Sequence, residues 1–213
     1  MDYPILYSFV RCPYAMRARM ALKLTEIKCE IREVRLNNKP KHMIDMSPKG
    51  TVPVLVLENN IIDESNEIID WALSFNNVFD GNLDEDQKDL TSSLIKLFDS
   101  KFKYNLDRYK YATRYENIDA DKHKMECLKI LINLEDLISK DEWFLGKSIN
   151  KLDISILPFI RQFRIADTDW FDKQNQITGI QRILTNFLDS KLFKDIMFKY
   201  DVWTENDMPQ FFP

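Results

Sequence analysis

Long apolar runs are missing from this sequence: no uninterrupted stretch in its 213 residues approaches the roughly 20 needed to cross a bilayer, so no membrane-spanning helix is expected. The opening MDYPILYSFV lacks a basic n-region and reaches an arginine and a cysteine too early for a signal peptide, which sets the expectation of a cytoplasmic protein. An excess of one charge is also lacking. Thirty Lys and Arg stand against 34 Asp and Glu, a net charge of -4, and this carries no electrostatic footprint for nucleic acid. Paired cysteines are absent too: Cys12, Cys29 and Cys127 are odd in number, widely spaced and outside any zinc-type pattern. That argues against a disulfide framework and a structural metal site, and it fits a reducing compartment. There is no internal repeat and no low-complexity tract. What remains, 45% apolar and 30% charged residues, is the composition of a folded globular chain with length for one large domain or two small ones.

The residue pattern changes character near residue 80. Before it, PILYSFV (4–10), CEIREVRL (29–36), VPVLVLE (52–58) and NIIDE (60–64) read as short strands, with an amphipathic helix over Ala15 to Leu24. Met16, Met20, Ala21 and Leu24 share its apolar face, and Arg17 and Lys23 are expected off it. Strand, helix, strand implies a right-handed parallel crossover. The last two strands, with Asn59 at a polar turn, read as an antiparallel hairpin. SNEIIDWALSF then reads as a helix with Ser65 as N-cap. Glycine is scarce, four residues in all, and one lies in the polar, acidic NNVFDGNLDED that reads as a linker. The expected division is an α/β domain over 1–76, a linker over 77–86 and an all-α helical bundle over 87–213. In the bundle, Leu90, Leu94, Leu97, Phe98, Phe102, Leu106 and Tyr109 recur at helical spacing, as do Met125, Leu128, Ile132 and Leu134. NKLDISILPFI offers Asn150 as N-cap with Asp153 three residues on, a capping-box variant that opens a very apolar helix containing Pro158.

RCPYAMRARMAL places Cys12 directly before Pro13. A helix starting at Pro13 makes Cys12 its N-cap and puts the proline at N1, where its missing N–H is no loss. The helix dipole and the unpaired N–H groups there favour a thiolate. A lone cysteine is more often a small packed apolar residue, but its position before Pro13 reverses that balance. Cys29 and Cys127 have no such placement and read as packing residues.

Four motifs in order, CPYAMRARMAL, NNKP with SPKGTVPVL, DES and NKLDISILPF, resemble those of the cytosolic glutathione transferases, and the first resembles the omega-type or glutaredoxin-type turn. The resemblance covers nearly the whole chain and implies a thioredoxin-like first domain, a helical second domain, glutathione as co-substrate, no metal, and a homodimer. A dithiol relative would read Cys-Pro-Tyr-Cys; here the fourth position is Ala15, so a second glutathione must resolve any mixed disulfide formed at Cys12. The resemblance also implies a cis Val52–Pro53 bond that turns Val52 toward the cysteinyl part of glutathione. Ser65 would meet the γ-glutamyl carboxylate, Glu64 or a neighbouring acid its ammonium, and Lys39 the glycyl carboxylate. A helix cap and a solvated loop charge are the plainer readings of Ser65 and Lys39.

The activity implied is thiol transfer or reductive removal of glutathione, on a small-molecule electrophile or disulfide substrate. Two other classes stay open: conjugation to electrophiles, for which Tyr7 and Ser8 offer hydroxyls, and a non-enzymatic adaptor of the same fold. The acceptor pocket is expected between the domains, beside Tyr104, Tyr109, Tyr111, Tyr115, Arg108 and Arg114. Such a stripe is more commonly core on one face and solvated charge on the other.

Overall fold

The computed structural model describes residues 3–79, 81 and 83–213; the start of the first predicted segment, Met1 and Asp2, and two linker positions, Asp80 and Asn82, lie outside them. The chain forms two compact units. In the first, β1 (Ile5–Ser8), α1 (Pro13–Leu24), β2 (Cys29–Glu33), α2 (Lys41–Met46), β3 (Val54–Val56), β4 (Ile61–Ile62) and α3 (Ser65–Phe75) follow in order. β1 runs parallel to β2 and antiparallel to β3, which pairs antiparallel with β4. The strand, helix, strand unit and the hairpin are thus as the periodicity predicts, with the hairpin closed by Leu57 N–H donating to Asn60 O at 2.8 Å. The central strand β1 is buried along its whole length, which is why ILYS reads as a continuous run rather than an alternating one. α2 is an addition to the sequence reading, where this stretch is a loop; six residues are too few for a periodic signal.

The second unit, Phe79–Leu188, holds α4 (Glu85–Leu97), α5 (Lys103–Lys110), α6 (Ala120–Glu135), α7 (Lys151–Arg164), α8 (Thr168–Phe171) and most of α9 (Thr178–Asp189). Between α4 and α5 the helix widens into a π turn over Phe98–Phe102. Such turns leave backbone carbonyls in need of donors. Two are supplied here: Asn105 Nδ2 donates to Lys101 O at 2.8 Å, and Cys127 Sγ reaches Phe102 O at 3.8 Å. The Asn150 and Asp153 box is present as predicted. Asn150 Oδ1 accepts from Leu152 N at 2.9 Å, while the Asp153 carboxylate accepts from Asn150 N at 2.8 Å and Phe144 N at 3.0 Å. Burial pushes the Asp153 carboxyl up to about 7 against those backbone bonds. α7 runs through Pro158 without a break, buried for most of its length.

The expected boundaries differ at the C-terminus. Asp189–Pro213 groups with the first unit, not with the bundle expected over 87–213. α10 (Lys191–Ile196) lies against α1, and β5 (Phe211–Phe212) pairs antiparallel with β2, giving a sheet ordered β4-β3-β1-β2-β5. The reason is an open edge: Ile31 N–H donates to Gln210 O at 2.8 Å and Trp203 N–H to Glu33 O at 2.9 Å, satisfying backbone that β2 would otherwise leave to solvent.

α1 carries the other correction. Arg17, expected off the apolar face, is fully buried, as is Arg19, because α1 is covered by α3 on one side and α10 on the other. Arg19 Nη2 pairs with Glu33 at 2.6 Å, its Nε donates to Ser8 Oγ at 2.8 Å, and its Nη1 donates to Ile196 O at 2.8 Å. The second oxygen of Glu33 accepts from Val10 N at 2.7 Å. Replacing the guanidinium leaves a buried carboxylate and a carbonyl uncompensated, so Arg19→Met is expected to cost about 3–5 kcal/mol of stability. Urea unfolding of the full chain measures it, and a midpoint equal to the wild type contradicts this role.

Candidate functional site

Cys12 is the N-cap of α1 with extended backbone, φ -76° and ψ 125°, and Pro13 is the first helical residue, as the sequence implies. Its N–H donates to Phe9 O at 2.9 Å and its carbonyl accepts from Met16 N at 3.0 Å, which fixes the turn on both sides. The side chain does not cap the helix. Instead Sγ lies 3.6 Å from Val52 O, in line for S–H donation to that carbonyl. A protonated sulfur has a hydrogen to place, and a carbonyl accepts it where backbone N–H groups cannot. The Val52–Pro53 peptide is cis, as expected. Cys12 is half-buried and packs against the cluster that contains Tyr7, Val52, Val54 and Trp203.

The DES turn lies one residue out of the predicted register: Glu64 is the N-cap of α3, and Ser65 is its first helical residue. The difference arises because Glu64 holds the extended cap conformation and its carbonyl accepts from Ile68 N at 3.0 Å. Ser65 is buried and its Oγ accepts from Arg17 Nη1 at 3.4 Å; the same nitrogen reaches Asn66 Oδ1 at 3.4 Å. Glu64 is exposed, and Lys49 Nζ bridges it at 2.8 Å to Asp63 at 2.9 Å. Asp63 also accepts from Ser47 Oγ at 2.8 Å, and the lysine and this hydroxyl together hold its carboxyl below the usual range. Lys39 is exposed in the loop before α2 and stretches over Gly50, where a Cβ would lie 3.7 Å from its Nζ. Gly50 has φ +61°, a left-handed conformation that glycine adopts without strain.

Residues 6–76 match the family described as glutathione S-transferase, N-terminal domain. Glutathione S-transferase omega-1 of Rattus norvegicus is 27% identical over 209 residues, covering 92% of this chain and 85% of its own. The chain carries a glutathione S-transferase N-terminal domain over residues 6–76. Its fold is shared with a solved glutathione transferase family member from Pseudomonas fluorescens with two glutathione bound, at TM-score 0.79, 14% identity and 92% coverage of both chains. The omega 3C glutathione transferase of Trametes versicolor superposes at TM-score 0.75 with 18% identity, covering 92% of this chain and 88% of its own.

Within a glutathione S-transferase frame, two sequence-predicted hydroxyls are committed away from the thiol. Ser8 accepts from Arg19, and the Tyr7 hydroxyl accepts from Arg32 Nη1 at 2.7 Å and meets His42 Nδ1. The tyrosines of the bundle form guanidinium stacks in their own unit: Arg108 lies 3.4 Å from the ring centroid of Tyr104 and 4.8 Å from that of Tyr115, and Arg114 lies 4.2 Å from Tyr111. Tyr109 turns inward, edge-on to Phe163. Among the described residues there is no cluster of three or more potential metal ligands and no helix long and apolar enough to cross a membrane.

Sequence reasoning missed Asn66 and Lys49, and it read Arg17 only as positive potential near Cys12 or a solvated charge, not as a contact of Ser65. Lys49 stands inside the quoted SPKG motif, and its charge beside an acidic DES turn is a usable signal. Arg17 is invisible as a contact until α3 covers it. The other two cysteines are inert by environment: burial pushes the Cys29 thiol up to about 12 and raises that of Cys127 as well. Iodoacetamide on the native protein is therefore expected to label one site per chain, Cys12, by peptide mass spectrometry. Labelling of Cys29 or Cys127 at a comparable rate contradicts the assignment.

Proposed function

We propose that this protein is a glutathione-dependent thiol transferase that works through Cys12 alone. The observation that carries the reading is the position of the sulfur: N-cap of a proline-started helix, half-buried, and against the Val52 carbonyl beside the cis proline. In the first step the Cys12 thiolate attacks the glutathione sulfur of a mixed disulfide; the Cys12–glutathione S–S bond forms, the original S–S bond breaks, and the substrate leaves as a thiolate. In the second step a glutathione thiolate attacks that glutathione sulfur, releasing oxidised glutathione and restoring the Cys12 thiolate. No resolving cysteine is needed, which agrees with Ala15 in the fourth motif position and with Cys29 and Cys127 being buried.

Glutathione is the co-substrate in this proposal. Val52 pairs with its cysteinyl backbone, Ser65 and the first turn of α3 receive the γ-glutamyl carboxylate, Glu64 faces the ammonium, and Lys39 faces the glycyl carboxylate. Pro13 and Pro53 shape the turn and strand that flank the thiol. Support for the grip comes from Arg17, which holds the Ser65 hydroxyl from below, and from Lys49, which holds Glu64 at the surface. Conjugation is the weaker reading, since a hydroxyl beside the sulfur is its requirement and Tyr7 and Ser8 are engaged elsewhere.

Incubation with oxidised glutathione is expected to add one glutathione to the wild type at Cys12, and Cys12→Ser is expected to lose glutathione-dependent disulfide reduction by at least about a hundredfold, as loss of a nucleophile does. Equal rates for the two proteins remove Cys12 from the chemistry.

A further inference from the structure

In the first unit two side chains, Arg32 and His42, converge on the Tyr7 hydroxyl. Tyr7 is fully buried in β1, and burial raises its phenol above the ordinary value against the pull of Arg32. Arg32 donates to the phenol oxygen through Nη1 at 2.7 Å and is itself held from two sides. Its Nε donates to Glu30 at 2.6 Å, and its guanidinium lies 4.2 Å from the ring of Trp203. A guanidinium only donates, so it occupies a lone pair of Tyr7 and leaves the phenolic proton to another acceptor. His42 Nδ1 lies 2.5 Å from the phenol oxygen, and donation of the phenolic proton to it goes with the tautomer whose proton is on Nε2.

The bond crosses from the central strand to α2. A six-residue helix has little stability of its own, α2 has no side-chain cap, and Met43 is its one fully buried residue. Apolar packing and one polar contact seat it on the sheet: Met43 and Met46 on the core cluster, and His42 on Tyr7. Lys39 stands two residues before the helix, reaching over Gly50. Any shift of α2 moves that lysine.

We propose that Tyr7 and His42 form a latch that positions Lys39 for the glycyl carboxylate, making this bond the determinant of selectivity for glutathione over γ-glutamylcysteine, which lacks the glycine. The proposal rests on the glutathione reading of the site. Neither residue touches the ligand; both are positioning residues. The selectivity lives in the buried pair, and the exposed lysine is its agent.

Calorimetric titration of the reduced full-length protein with each peptide tests it. Tyr7→Phe and His42→Leu are each expected to weaken glutathione about two- to tenfold, the scale of one lost hydrogen bond, and to leave γ-glutamylcysteine unchanged. His42→Asn, whose carboxamide oxygen can take the place of Nδ1, is expected to restore glutathione affinity. Lys39→Ala is expected to show the same split, and adding Tyr7→Phe to it to change nothing further. Equal losses on both peptides, or no loss on either, overturn the latch while leaving Cys12 chemistry untouched. A wild-type protein that binds neither peptide overturns the glutathione reading and the latch with it. Should Tyr7→Phe fail to fold, the half-buried His42 pair of variants decides the question alone.

Discussion

The buried pair of Arg19 and Glu33 is the interaction on which the first unit depends. Its carboxylate faces two ways: one oxygen takes Arg19, the other takes Val10 N, in the turn that leads to Cys12. The backbone of Glu33 takes Trp203 from the returning C-terminal segment. The guanidinium spreads over Ser8 on β1 and the Ile196 carbonyl that ends α10. One ion pair thus ties two strands, two helices, the cysteine turn and the tail. Burying it is costly, and attraction alone does not recover that cost. Every donor of the arginine that the geometry shows is matched to an acceptor, and the satisfied network leaves one arrangement open to these elements.

From that node the site follows by short steps. With the turn over 9–12 held by Glu33, the N-terminus of α1 cannot shift against β1, and Cys12 meets Val52 across the sheet. Arg17, two residues before Arg19 in the same helix, faces the opposite neighbour and carries the position of α1 to Ser65 at the start of α3. Two buried arginines on one helix therefore serve two walls of the proposed glutathione grip. The first fixes where the sulfur stands, and the second fixes where the γ-glutamyl end would be received.

Local signals were legible in the sequence, and tertiary ones were not. Cys12 before Pro13, the turn at Asn59 and the Asn150 and Asp153 box each act within a few residues, so type and spacing identify them. Arg17 and Arg19 are written as charges, and a helical pattern assigns charges to solvent; only the cover of both α3 and α10 makes them interior. The C-terminal return has the same cause. Phe211 and Phe212 are a strand only because β2 presents an unpaired edge. The π turn over Phe98–Phe102 keeps the apolar spacing of a helix, and its carbonyl partners are the nearby Asn105 and the remote Cys127. Ser65 is a mixed case: its role at the head of α3 was readable, its exact position was not, because Glu64 and Ser65 are both competent to begin a helix.

The Val52 carbonyl links the thiol to its proposed co-substrate. In the structure that oxygen is the acceptor for the Cys12 S–H. In the proposed complex the same backbone pairs with the cysteinyl unit of glutathione, whose N–H needs an acceptor. A thiolate has no hydrogen to donate, so ionisation of Cys12 ends that bond and leaves both lone pairs of Val52 O to the ligand. The neighbouring N–H groups of α1 favour negative charge on the sulfur. A second cysteine in place of Ala15 would offer the sulfur a partner within the motif; with alanine there, the proposed partner is glutathione.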